Sequence, residues 1–334
     1  MNHLKTLDNP LLTPTHTRTD SSYTRTWTNE DWVRHQVRSF FRYKRHCLSW
    51  TKSPTARAVL PTVFVVCLWA SLVSLVTSRT PILQVFIQKA SFFSGMAAFS
   101  APISLLLALR TNRAMDRLLD ARRQFGIMAR AVLSLASLTT VYIAPVDLDK
   151  ALLLGRYLCI YGWIMKGCVR GEDDTSVCRA LLPPEEAQWL SNTFSDTPTS
   201  ILLRLRQVIA SVVDKLPLSA ATAMEESICE LETVLGVCKR LLGSPIPPTY
   251  TRHTSRVLCL FLGFLPVAMV GSGVSFLATL LNCALISYVF VGIDEIGVEI
   301  EHPFPLLPMY HLSSAIQNNV ANQFLSMAMG PPQP

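Results

Sequence analysis

Residues 257–293 carry no charged side chain. At about 1.5 Å of rise per residue, a helix of that length would far exceed the ~30 Å hydrocarbon thickness of a bilayer. The run is interrupted at Gly271-Ser272-Gly273, so the pattern predicts two helices folded back as a hairpin over residues 256–293. Two further uncharged stretches, 58–78 and 90–109, lie earlier in the chain. The expectation is an all-α protein with four transmembrane helices, the first two within residues 58–109.

Pro81 opens the second hydrophobic element, which carries Pro102 within it. A proline there removes a backbone donor and bends the helix, which lipid tolerates only where the freed carbonyl faces protein or water. No break signal ends this span at the membrane surface, so one helix is expected to run from the membrane to about Arg130. Arg110, Arg113 and Arg117 fall at i, i+3 and i+7 on it and predict a cationic face, partly offset by Asp116 and Asp120. Residues 110–255 form a helical domain in this reading, and 294–334 a C-terminal segment. Residues 148–169 and 197–216 read as amphipathic helices, and 171–176 and 191–198 as loops. Over 219–242 the apolar positions 224, 228, 231, 235, 238 and 242 make a heptad-like seam, closed by Gly243 and Pro245. Residues 31–57, with Trp32, Phe40, Phe41, Tyr43 and Trp50 among arginines, fit a basic amphipathic helix on a membrane surface. Residues 1–30 are Thr- and Ser-rich and read as a disordered tail or a transit peptide.

Composition agrees with the pattern. Charged residues are 16% and hydrophobic ones 50%, against about 25% charged in soluble domains. Net charge is +7, and no Asp or Glu occurs between Trp32 and Met115. Most of the Arg and Lys in that stretch serve the positive-inside rule, which places both termini and the middle domain in the cytosol, or the stroma of a plastid. The same charge also favours anions. The nine cysteines include no CxxC, and the seven histidines form no HxxxH pair, the one ExxH being Glu299–His302. A zinc site, a disulfide framework and a metal-dependent membrane enzyme all lose support. The spans hold hydroxyls and thiols but no carboxylate or imidazole, and no nucleotide-binding glycine loop or G-x-S-x-G occurs. The chain is read as not an enzyme, with no cofactor and no nucleic-acid partner.

Three segments carry a family likeness. Residues 101–117 (APISLLLALRTNRAMDR), 244–256 (SPIPPTYTRHTSR) and 296–305 (IGVEIEHPFP) resemble, in order and spacing, segments of the bestrophins, most closely the plant and algal thylakoid branch. The resemblance implies a homopentamer in membrane lipid, with a central pore lined by the second span (90–109) of each subunit. Carried over residue by residue, it places the neck at Ala101, Leu105 and Leu109, the pore-helix kink at Pro102 and a lower aperture at Leu218. Arg110, Arg113 and Arg117 are the candidate anion vestibule, and Phe92, Phe93 and Phe99 offer aromatic edges to the permeant ion. Two segments depart from the family pattern: Cys238-Lys239-Arg240-Leu241, and the run after Phe304, where an acidic stretch is replaced by Pro305-Leu306-Leu307-Pro308. With only Glu299 and Glu301 nearby, no calcium clasp is expected there, since calcium needs six to eight oxygen ligands. The implied function is passive conduction of chloride or another small monovalent anion, in a chloroplast thylakoid or other organelle or plasma membrane. A bicarbonate channel and a non-conducting scaffold are the alternatives.

Overall fold

The computed structural model describes residues 53–89, 92–192 and 197–329, together with Gln36, Tyr43, Lys44, Cys47 and Leu48. The readings of 1–30 and of most of 31–57 lie outside the described residues. The described secondary structure is helical, with no strand. In chain order the helices are α1 Pro54–Arg79, α2 Pro81–Lys89, α3 Phe92–Leu138, α4 Leu148–Arg170, α5 Thr175–Leu181, α6 Pro184–Asn192, α7 Thr197–Ala210, α8 Leu218–Gly243, α9 Pro248–Gly271, α10 Phe276–Glu301, α11 Pro303–Leu306 and α12 Met309–Met329. They divide between two compact units, with boundaries after Leu118, Ser244 and Pro303 rather than at 110 and 255.

The first unit holds α1, α2, the start of α3, α9 and α10. Ser53 caps α1, its Oγ accepting from the Ala56 amide at 3.4 Å, and Pro54 follows at the position where a missing N–H costs nothing. The helix stops at Thr80, which is extended, as a residue preceding proline prefers; Pro81 then starts α2. The α9–α10 hairpin turns at Gly273, whose φ of 74° lies in the left-handed region. A Cβ on Gly271 would come within 2.8 Å of the Ile87 side chain, so the hairpin closes tightly on α2.

The core of this unit joins α1 (Val59, Val66, Ala70), α3 (Ile103, Leu107), α9 (Leu258, Phe261, Leu262, Leu265) and α10 (Cys283, Val291). Trp69 donates its indole N–H to the Gly263 carbonyl at 2.9 Å. That carbonyl sits one residue beyond Leu262, whose own carbonyl Pro266 leaves without its usual donor. The outward faces are apolar: Leu60, Phe64 and Leu68 on α1, and Leu277, Leu281, Leu285 and Val289 on α10 are exposed. Rows of this kind suit lipid, not water.

The second unit is built on α4, which is long and apolar enough to span a membrane, yet is enclosed by protein. The expected amphipathic helix is thus buried nearly all round. Tyr157, Leu158, Cys159, Ile160 and Tyr161 are all inaccessible in succession. α12 lies along α4: Ser313 donates to the Gly162 carbonyl and Trp163 to Gln317 Oε1, each at 2.8 Å. A Cβ on Gly155 would come within 2.6 Å of the Phe324 ring, so the two helices meet there without room for a side chain. Two further readings are corrected. The helix expected over 197–216 ends at Ala210 and gives way to a short 3₁₀ turn, Val213–Lys215. The loop over 171–176 is shorter than expected, because Gly171 ends α4 with φ 68° and α5 already begins at Thr175.

Candidate functional site

α3 is one unbroken α-helix from Phe92 to Leu138, extended by a π turn over Thr139–Ile143. Its start belongs to the membrane unit, and there its two faces differ. Ile103 and Leu107 are 2% and 1% exposed and enter the core, while Leu105 and Leu109 are 60% and 49% exposed on the other side. Ala101 is exposed with them, and the spacing of four keeps the three on one face. Pro102 lies inside the helix and is exposed on the same uncovered side. This face differs from the lipid-suited rows of α1 and α10, because Ala98, Ser104 and Ala108 are exposed among the leucines. Small residues let backbones approach closely, and the Ser104 hydroxyl bonds back to the Ser100 carbonyl at 2.8 Å. Further along, exposure passes to Asn112, Arg113 and Asp116, so an apolar row becomes a polar one along the same helix.

The three segments that carried the family likeness meet at the lower end of this stretch. Tyr250 donates its hydroxyl to the Leu106 carbonyl at 2.9 Å. Arg110 is ion-paired to Asp294 through Nη1, and its Nη2 lies 3.7 Å from Glu301. Arg117 donates from Nε to the Glu301 carbonyl at 3.4 Å. The expectation that Arg110 lines a vestibule is corrected by this geometry. Its side chain is 1% exposed, and its charge is taken up by two carboxylates of α10. Arg113 is exposed, and Arg117 is half-buried. Arg110 therefore orients α3 against α10, fixing which face of the helix stays uncovered.

Among the other residues singled out, Phe99 is 62% exposed, while the side chains of Phe92 and Phe93 lie outside the described set. Leu218 opens α8 just after Pro217 in the second unit and is 83% exposed. Among the described residues no three His, Cys, Asp or Glu side chains gather as a metal would require.

The charge clusters of the second unit are structural. Tyr157 donates to Glu186 at 2.7 Å, and Arg204 pairs with the same carboxylate. Burial pushes the Glu186 carboxyl up, but the hydrogen bonds from Arg204 and Tyr157 outweigh it and hold the group below its ordinary value. Lys166, 6% exposed, lies 2.6 Å from Glu172 and 3.1 Å from Asp174.

Residues 31–322 match the family described as Bacterial/Fungal Bestrophin protein. A voltage-dependent chloride channel, chloroplastic, of Arabidopsis thaliana is 27% identical over 88% of this chain and 72% of its own length. A voltage-dependent anion channel-forming protein of Synechocystis is 27% identical over 75% of this chain and 87% of its own. Among solved structures, a mutated form of a bacterial bestrophin homologue from Klebsiella pneumoniae superposes with a TM-score of 0.70 at 25% identity, covering 80% of this chain and 99% of that one. With the family matched over most of its length, and with its apolar helices, the chain is an integral membrane protein that belongs to the bestrophin family.

Proposed function

We propose that this protein is a passive channel for chloride or another small monovalent anion, formed by five copies arranged around the exposed face of α3. The observation that carries the proposal is that face: Ala101, Leu105 and Leu109 lie uncovered opposite a core that buries Ile103 and Leu107. Five such faces turned toward one axis make successive apolar rings. A ring of this kind admits water and an ion only when it widens, because the ion must otherwise shed hydration with nothing in exchange. Ala101, the smallest of the three, leaves its level the widest. Below the neck, Arg113 and Arg117 raise the local anion concentration by their potential. Leu218 forms a second, lower constriction in this reading. No side chain performs chemistry, in keeping with a family whose relatives here are named as channels and not as enzymes.

The chloroplastic naming of the Arabidopsis relative favours a chloroplast membrane, the thylakoid in this proposal; bicarbonate is the alternative permeant ion. The test is reversal potentials of purified, reconstituted protein under chloride and then bicarbonate gradients. A shift that follows chloride supports the reading, and a shift that follows bicarbonate equally well assigns inorganic carbon. A protein silent at every voltage would be a scaffold.

A further inference from the structure

In the second unit α8 runs antiparallel to α3. Arg240 lies 3.8 Å from Asp120, Arg130 pairs with Glu230, and Ser227 donates to the Ser134 hydroxyl at 3.5 Å. α3 itself turns back into α4 over residues 139–147. α4 and α8 therefore run in the same direction, and their backbones come within 8 Å of each other. Tyr161 of α4 sets their register by donating to the Leu231 carbonyl of α8 at 3.4 Å. Seven residues further along each helix stand Cys168 and Cys238. Seven residues make two turns to within about 20°, and rise about 10.5 Å, so the two thiols keep the facing sides at a common level.

A second observation puts them together. Burial pushes the Cys238 thiol up to about 12, and Cys168 and Asp120 act on it in the same direction, as only near neighbours can. The other thiols of this unit have different surroundings. Cys159 lies 3.8 Å from the Gln317 carbonyl on the α12 side, Cys178 is on α5 near Asp174, and Cys229 is exposed beside Arg206. Accessibility separates the pair: Cys168 is half-buried, whereas Cys238 is 0% exposed. A small reagent meets Cys168 first, with Cys238 behind it as the internal partner.

We propose that Cys168 and Cys238 form a redox-modification site, closed to an intramolecular disulfide by a small disulfide oxidant that enters at Cys168. The Cys168 thiolate attacks one sulfur of the oxidant, forming a mixed disulfide and releasing one small thiolate. Cys238 then loses its proton to solvent, and its sulfur attacks that of Cys168, expelling the second small thiolate. Two protein thiols are oxidised by two electrons in all, and one small disulfide is reduced to two thiols. The bond ties α4 to α8 and closes the loop from 168 to 238, which restricts the unfolded chain.

The test treats the reduced, purified full chain with oxidised glutathione, alkylates the remaining thiols and reads unreduced peptides by mass spectrometry. The expected product is a pair of peptides joined through Cys168 and Cys238 within one chain. The melting temperature should rise by about 5 °C, and dithiothreitol should reverse both changes. Cys238→Ser should stop at the glutathione adduct on Cys168. If that variant does not fold, Cys168→Ser, at the half-buried position, should leave Cys238 unmodified by the reagent. Absence of the linked peptides from the wild type overturns the proposal, as does Cys168 bonded to another cysteine or to a second copy. So does a glutathione adduct on Cys238 in Cys168→Ser.

Discussion

Arg110 is 1% exposed beside Asp294 and Glu301, and a guanidinium so placed is tolerated only while its carboxylates remain. Arg110→Gln would leave two acidic groups facing each other in the membrane unit. It is expected to cost about 3–5 kcal/mol, read as a fall in thermal stability in detergent. Arg113, exposed on the next turn, should behave oppositely. Arg113→Gln is expected to change stability by less than about 0.5 kcal/mol. It should lower single-channel conductance at low salt, with the loss fading as salt screens the field. Leu105→Ala, by relieving the dry constriction, should raise open probability in planar bilayers; an unchanged current would move the neck elsewhere. Nothing local in the sequence separated Arg110 from Arg113. Their spacing gave one cationic face, and the carboxylate that distinguishes them lies 184 positions away.

Elements were more legible than their ends. The uncharged runs fall on the apolar helices α1, α3, α9 and α10 because lipid permits few other sequences, and the Gly273 turn was legible because a positive φ needs glycine. Gly273→Ala should destabilise the hairpin by about 1–2 kcal/mol, measurable as a lower melting temperature. On α8 the seam holds at Met224, Ile228, Leu231, Leu235 and Cys238, all buried, but at its end Leu241 is buried and Leu242 is 46% exposed. A straight helix drifts against a seven-residue repeat, so the last position slips by one. α4 misled for another reason: its few polar residues suggested a wet face, yet Lys166 is buried against Glu172 and Asp174. At the junction of α4, α6 and α7, Glu186 titrates below its ordinary 4.5 because Arg204 and Tyr157 favour its charged form. Its stabilising contribution is therefore complete above about pH 4.5 and is lost as pH falls through the lowered value. Glu186→Gln should flatten that part of the stability–pH profile while lowering stability at neutral pH.

At the scale of the whole molecule, conduction turns on what covers the exposed face of α3. The single chain leaves Leu105 and Leu109 uncovered, and the proposed pentamer turns them toward an axis and not toward lipid. A water-soluble, negatively charged methanethiosulfonate reagent distinguishes the two, since it cannot reach a residue facing acyl chains. The deciding measurement is the current through reconstituted Leu105→Cys protein before and after the reagent, with wild type and Ile103→Cys as controls. Block is expected at Leu105→Cys alone, because Ile103 is 2% exposed within the core. An open, unmodified Leu105→Cys channel would contradict a pore lined by this face.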